Sequence, residues 1–255
     1  MTKAGQMQSK MDEKRALVTG GTRGIGAAIT LALASRGYHV KVTARSGASF
    51  DHFIKALDGD LIHNIDFMAC DFESAQQVAT LEKHLSETDV DILINNAGIN
   101  KISPAADIHP DDFALIQRVN VEVPFLLSKA VVSGMAKRQW GRIVNITSIF
   151  GTVSKSQRLS YSTSKFALHG MTCALALEYA KDNVLVNAVG PGVIETELTR
   201  NVLGKEGIDR ISKDIPIGRL GQPEEVARLV VFLASEDNSY LTGQQIIIDG
   251  GYTSA

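Results

Sequence analysis

Cysteine is nearly missing: only Cys70 and Cys173 occur in 255 residues. Two thiols so far apart exclude a disulfide framework and a cysteine-rich zinc site, and their apolar surroundings suit buried free thiols in a reducing, cytoplasmic setting. Blocks of one charge are missing as well. Lysine and arginine total 26 against 28 aspartates and glutamates, a net charge of −2, so no basic footprint for nucleic acid or an anionic membrane is present. Small molecules are the expected partners. Apolar stretches such as ARLVVFLA fall well short of the roughly 20 residues that cross a bilayer, and no membrane association is expected. The opening MTKAGQMQSKMDE has no apolar centre and reads as a flexible polar leader over residues 1–13, not a signal peptide.

The rest of the chain alternates. Short β-rich runs (RALVTG, YHVKVTA, NIDFMACD, DILINNAG, RIVNITS, VLVNAVG, QQIIIDGG) are separated by longer helical patterns, including one from about Pro110 to Lys137 and one from Pro223 to Ala234. Strand and helix in turn predict βαβ units, hence an α/β fold with a doubly wound parallel sheet of about seven strands and helices on both faces. No repeat, linker or low-complexity segment interrupts it, so residues 14–255 read as one domain. The longest irregular region, about Val193 to Pro216, lies beyond a strand end, where functional loops of such sheets collect.

TGGTRGIG follows the first strand and opens the first helix. Gly20, Gly24 and Gly26 lack the Cβ that would obstruct a tight turn, close approach of a pyrophosphate, and packing of helix on strand, while the helix N-terminus offers free N–H groups to the anion. This is a Rossmann-type dinucleotide site. The second strand ends in Thr43-Ala44-Arg45-Ser46, without the carboxylate that would bind a ribose 2′-hydroxyl; Arg45, with Arg23 in the glycine loop, can instead take a 2′-phosphate, which favours NADP(H) over NAD(H). Asn96 and Gly98 of NNAG end the fourth strand and turn closely past the cofactor. Tyr161 and Lys165 sit four apart on a helical pattern and therefore share a face. A lone tyrosine is a poor acid near neutrality, and a neighbouring ammonium would lower its pKa. Ser148 ends the preceding strand, where its hydroxyl can bind a carbonyl oxygen that Tyr161 protonates.

The Gly-x-x-x-Gly-x-Gly spacing, NNAG, Ser148, Tyr161-x-x-x-Lys165 and Pro191-Gly192, in this order, resemble the short-chain dehydrogenase/reductase family from Lys14 to the C-terminus. PGVIETELT, GRLGQPEEVARLVVFLAS and LTGQQIIIDGG are most similar to its 3-oxoacyl-[acyl-carrier-protein] reductases. The resemblance implies an NADPH-dependent carbonyl reductase of fatty-acid or related polyketide biosynthesis, acting on a ketone or acyl thioester carried on acyl-carrier protein, and assembled as a homotetramer. Alcohol dehydrogenases of acyl-CoA, sugar or steroid substrates, and a non-catalytic nucleotide-binding regulator, are the alternatives. By resemblance, Thr22 and Ile25 join the glycine loop, Asp71 contacts the adenine amino group, Ala97 joins Asn96 and Gly98, and Pro191, Gly192, Ile194 and Thr196 pass the nicotinamide. Tyr161 and Lys165 also contact the cofactor. Asn120 matches an asparagine that holds a relay water toward the lysine; Pro124, which has no N–H, cannot bond the Asn120 carbonyl and would leave it open to that water. Ser74 and Gln77 form a plausible capping box that leaves Asp71 free. Gln139 and Leu177 stand where the resemblance calls for arginines that meet an acidic carrier; Lys137, Arg138, Lys155 and Arg158 are the nearby cations.

Overall fold

The computed structural model describes residues 14–57, 59 and 61–255, so the leader expected over 1–13 lies outside the described residues. Seven strands form one parallel sheet: β1 (Arg15–Thr19), β2 (His39–Ala44), β3 (Ile65–Ala69), β4 (Ile92–Asn95), β5 (Gly141–Ile146), β6 (Val184–Pro191) and β7 (Gln245–Ile248), in the spatial order β3-β2-β1-β4-β5-β6-β7. The order reverses between β1 and β4, which pair directly through Ala16↔Ile92 to Val18↔Ile94. At that switch point the loops leaving β1 and β4 diverge and open a crevice at the carboxyl edge.

Successive strand residues feed opposite cores. Ala16 and Val18 enter the cluster on one face with Ile92, Ile94 and Val144, whereas Leu17, Leu93 and Ile143 enter the other. Burial on both faces explains why these strands read as continuous apolar runs rather than alternating ones. The first face is covered by α1 (Gly24–Ala34), α2 (Gly47–Lys55) and a C-terminal helix over Pro223–Ala234; the second by α3 (Ala75–Glu87), α4 (Pro110–Gln117), α5 (Val123–Lys137) and α6 (Leu159–Tyr179).

One expectation changes. The segment from Val193 to Pro216 is not irregular: it forms α7 (Glu197–Asp214), broken at Gly204, where φ 61° and ψ 179° leave the helical region. Leu198 and Val202 on this helix are exposed, so it lacks the buried apolar stripe by which helices announce themselves in sequence. The long helix expected from about Pro110 to Lys137 is present: α4 and α5 run on through a five-residue π-helical turn, Arg118–Glu122, to make one helix of 28 residues that by length and composition alone could cross a membrane. Glu122 and Lys129 interrupt its apolar run, and Val123, Leu127, Val131, Val132 and Met135 are buried in the second core cluster. The C-terminal helix, α8 (Pro223–Ala234), falls where the sequence places it, with Gln222 and Glu225 closing a reciprocal capping box.

Candidate active site

The glycine loop is held by neighbours across the switch point. Thr19 Oγ1 accepts from the N–H groups of Asn96 (2.9 Å) and Ala97 (3.0 Å), and Asn96 Nδ2 returns hydrogen bonds to Thr19 O (2.8 Å) and Gly20 O (3.2 Å). Asn96 thus fixes the loop from beneath. Gly20 and Gly24 have φ of +63° and +53°, the left-handed region that glycine enters without strain. A Cβ on Gly26 would stand 2.1 Å from Gly20 O and 2.6 Å from Asn96 Nδ2. Arg23 occupies the N-cap of α1 without a side-chain capping bond, which leaves the first-turn N–H groups to an outside anion. Thr22 and Ile25 are half-buried. Gly24 faces Thr196, whose Cγ2 would be 3.3 Å from an added Cβ; the loops after β1 and β6 therefore meet. The cradle fits a dinucleotide pyrophosphate.

Arg45 leaves β2 exposed and pairs loosely with Glu73 at 3.7 Å. An exposed pair of this kind is worth about 0–1 kcal/mol, so a phosphate can readily displace the carboxylate. Asp71 is engaged: its Oδ1 accepts from Glu73 N–H at 3.1 Å. Ser74 accepts from Gln77 N–H as expected, but Gln77 Oε1 accepts from Asp71 N–H at 2.8 Å. The reciprocal half of the capping box is therefore directed at the Asp71 backbone and not at Ser74, and the Asp71 carboxylate keeps only the bond from Glu73 N–H. Gly192 lies against Asp249 and donates to Ile248 O at 2.9 Å, Ile194 is buried and bridges to Gly221, and Thr196 caps α7. This carries the chain from Pro191 across the mouth of the crevice.

On the other side stand Ser148, Tyr161 and Lys165. Ser148 is buried, accepts from Phe150 N–H at 3.2 Å and stands beside the Tyr161 hydroxyl. Burial pushes the Tyr161 phenol above its ordinary range, while the neighbouring Ser148 hydroxyl and the Arg158 charge pull the other way. Lys165, 3% exposed, donates to Ile146 O at 2.8 Å, and burial pushes its ammonium down to about 8. Its Nζ lies 5.5 Å from the Tyr161 ring centroid. Burial holds the phenol up, and Arg158 is a second cation on the opposing side of that balance.

Asn120 reaches the same point. A Cβ on Gly98 would sit 3.3 Å from Asn120 Oδ1 and 3.4 Å from Lys165 Nζ, so glycine is what lets the three converge. The Asn120 amide is fully engaged: Oδ1 accepts from Ile99 N–H (2.9 Å), and Nδ2 donates to Ile99 O (2.9 Å) and Ser164 Oγ (2.9 Å). Ser164 donates in turn to Tyr161 O at 2.7 Å. The π-turn closes from Arg118 O to Val123 N–H, and Pro124 begins the next helical turn without a donor. Thr19, Ser164 and Arg158 are positioning residues that the sequence reading did not single out for the site. Their signal was adjacency alone: Thr19 precedes the glycine loop, Ser164 precedes Lys165, and Arg158 stands three before Tyr161. A concavity of about 670 Å³ lined by Ala105, Ser154, Gln157, Leu159 and Phe166 lies on the outer side of α6 and includes none of the catalytic side chains.

A family model described as Enoyl-(Acyl carrier protein) reductase matches residues 20–253. The chain belongs to the short-chain dehydrogenase/reductase family. It is an oxidoreductase of the group acting between keto and hydroxyl groups. It is 41% identical to 3-oxoacyl-[acyl-carrier-protein] reductase FabG of Aquifex aeolicus, over 96% of this chain and 99% of the relative. Identity to acetoacetyl-CoA reductase of Shinella zoogloeoides is 40%, over 92% of this chain and 97% of the relative. A crystal structure of 3-oxoacyl (acyl-carrier-protein) reductase from Agrobacterium tumefaciens C58 with NADP bound superposes with a TM-score of 0.87 at 31% identity, covering 98% of this chain and 99% of that one. These similarities agree with the parallel order of the sheet and the placement of glycine loop and tyrosine on opposite sides of one crevice.

Proposed function

We propose that this short-chain dehydrogenase/reductase is an NADPH-dependent reductase of 3-oxoacyl thioesters, with Tyr161 as general acid. The observation that carries the reading is the convergence of buried Ser148 and Lys165 on Tyr161 beyond the carboxyl end of β5, with Lys165 Nζ 5.5 Å from the Tyr161 ring centroid. Two hydroxyls aimed at one point suit a ketone oxygen, which needs donors as it gains charge. NADPH supplies the hydride. Gly20, Thr22, Arg23, Gly24, Ile25 and Gly26 would hold its pyrophosphate, Arg45 its 2′-phosphate, and Asp71 with Asn96, Ala97 and Gly98 its adenosine side. Pro191, Gly192, Ile194 and Thr196 would line the nicotinamide.

Ser148 orients the substrate oxygen and Tyr161 donates its proton there. Asn120 holds the loop after β4 and, through Ser164, the first turns of α6, which keeps Tyr161 in register. Lys165 keeps a cation beneath the phenol as it becomes a phenolate. Relatives named as acting on acyl-carrier-protein and coenzyme A esters support a thioester substrate. The carrier contact needs another surface than the one the family pattern suggests. Leu177 is exposed but apolar, Gln139 hydrogen-bonds Asp182, and Arg138 is engaged by Asp89, Asp91 and Val90 O. Assaying a panel of 3-oxoacyl thioesters, sugar ketones and steroid ketones by NADPH consumption tests the reading; turnover confined to sugars or steroids would overturn it.

The cofactor choice has its own test. Arg45→Asp replaces a phosphate partner with a repelling carboxylate beside Glu73, so NADPH affinity is expected to fall by about tenfold or more while NADH changes little. Titrating both nucleotides into both proteins decides it, and equal changes for the two would exclude Arg45 from the phosphate site.

We also propose a cytoplasmic homotetramer. Cys70 and Cys173 are free thiols. Leu168, Val131 and Val132 prove to be core, whereas Phe125, Phe166 and Leu177 are exposed on α5 and α6, an apolar helix face that a second copy could cover by two-fold pairing. Light scattering at micromolar concentration is expected to give a mass near four chains that falls when Phe125 or half-buried Met171 becomes charged. A monomer of 27.5 kDa would sink the proposal.

A further inference from the structure

Beside Tyr161 stands a cation that the family motifs do not account for. Arg158 is half-buried at the N-cap of α6. It is entered from Gln157, whose φ of +66° is unusual for a residue with a side chain, and Arg158 itself adopts φ −111°, ψ 13°. Sparsely populated backbone of this kind gathers where a side chain must be aimed. The turn is tied to the loop after β4 by Ser103 N–H donating to Gln157 O at 3.3 Å. The guanidinium lies 5.4 Å from the Phe150 ring centroid, and Phe150 meets the Tyr161 ring edge-on at 6.4 Å, so charge and phenol border the same ring. Among the described residues no carboxylate pairs with Arg158, and burial depresses its pKa with only Tyr161 opposing.

A guanidinium has five N–H donors in a fixed fork. Leaving them idle in a half-buried place is unfavourable, and a cation–π contact with phenylalanine recovers only part of that loss. An arginine with no task would turn its head to water; this one is held over Phe150 toward the catalytic phenol. Arg158 and Tyr161 are three residues apart at the start of one helix, so their side chains rise on the same side of the crevice.

We propose that Arg158 is a specificity residue that binds a second oxygen of the substrate, placed two carbons from the ketone that Tyr161 protonates. A 1,3-dioxygenated chain offers that pair, and the second oxygen belongs either to the carboxylate of a free 3-oxo acid or to the carbonyl of its thioester. The fork donates to that oxygen and, by anchoring it, turns the ketone toward Ser148 and Tyr161. This inference rests on the assignment of Tyr161 as the proton donor.

The test compares wild type, Arg158→Ala and Arg158→Lys on acetoacetate, on acetoacetyl-N-acetylcysteamine and on pentan-2-one, which has no second oxygen. A hydrogen bond to a charged group contributes about 1.5–3 kcal/mol, so Arg158→Ala is expected to raise KM for a 3-oxo substrate by about tenfold or more. Its KM for pentan-2-one is expected to stay within about threefold. A larger loss on acetoacetate assigns the carboxylate, and a larger loss on the thioester assigns the carbonyl. Arg158→Lys keeps the charge without the fork and is expected to recover part of the binding; a melting temperature equal to wild type shows that the fold is kept. Unchanged KM on both 3-oxo substrates, or an equal loss on all three ketones, overturns the inference. If wild type reduces none of them the reductase reading fails instead, and calorimetric titration of acetoacetate into wild type and Arg158→Ala with NADP present still decides the role of Arg158.

Discussion

Tyr161→Phe is expected to lower kcat and kcat/KM together by at least about a hundredfold, the lower end of what a positioned general acid supplies, equivalent to about 2.7 kcal/mol of transition-state stabilisation. The substitution removes one oxygen and little else. The ring keeps its edge-on contact with Phe150 at 6.4 Å, Lys165 keeps its bond to Ile146 O, and Asn120 keeps Ser164 and Ile99. NADPH affinity is therefore expected to stay near the wild-type value, because the glycine loop and Arg45 lie across the crevice from the phenol. Ser148 survives as a donor to the ketone oxygen but has no second proton source behind it. Steady-state kinetics with a 3-oxoacyl thioester, beside a nucleotide titration, make the measurement. Near-normal turnover would remove Tyr161 as the acid, and a parallel collapse of NADPH binding would show that the ring, not the proton, was what mattered.

The parts of this site that depend on backbone identity were legible in the sequence. Glycine at 20, 24 and 26 marks a turn that only glycine makes, and Tyr161 with Lys165 needs no more than helical spacing to share a face. Seven apolar runs separated by helical patterns were enough for the parallel sheet, because strands buried on both sides leave long hydrophobic words. What stayed hidden were relations between segments far apart in the chain. Ser148 beside Tyr161 was read from the motif, but Gly98 against Asn120 and Lys165, and Gly24 against Thr196, are contacts that spacing along the chain does not show. Helix α7 was missed because Leu198 and Val202 face solvent, so no core stripe betrays it. The π-turn at Arg118–Glu122 left only Pro124 as its trace. The electrostatics were the least legible: Lys165 also spends a donor on Ile146 O, and Arg158 adds a second charge near Tyr161.

Gly26→Ala is expected to cost both stability and cofactor, for a reason separate from backbone conformation. Gly26 does not require a positive φ; its constraint is space, since the new methyl would stand 2.1 Å from Gly20 O and 2.6 Å from Asn96 Nδ2. Neither neighbour can step aside cheaply. Gly20 O is backbone in a left-handed turn, and Asn96 is bound to Thr19 O and Gly20 O from below. The loop must lift, which tilts the first N–H groups of α1 away from the point they share with Thr196. Overpacking of this kind costs about 1–3 kcal/mol, and about 2–4 °C of melting temperature per kcal/mol for a chain of this size. NADPH affinity is expected to fall by about tenfold or more, because the pyrophosphate depends on several donors aligned at once. Gly47→Ala is the matched control: it opens α2, has no positive φ and nothing within 4 Å of an added Cβ, so the same methyl is expected to leave melting and NADPH binding unchanged or to raise the melting temperature slightly. Calorimetric titration and thermal melts of the two variants separate a general effect of the methyl from the one at the loop. Wild-type NADPH affinity in Gly26→Ala would show that the cradle is not where the dinucleotide rests.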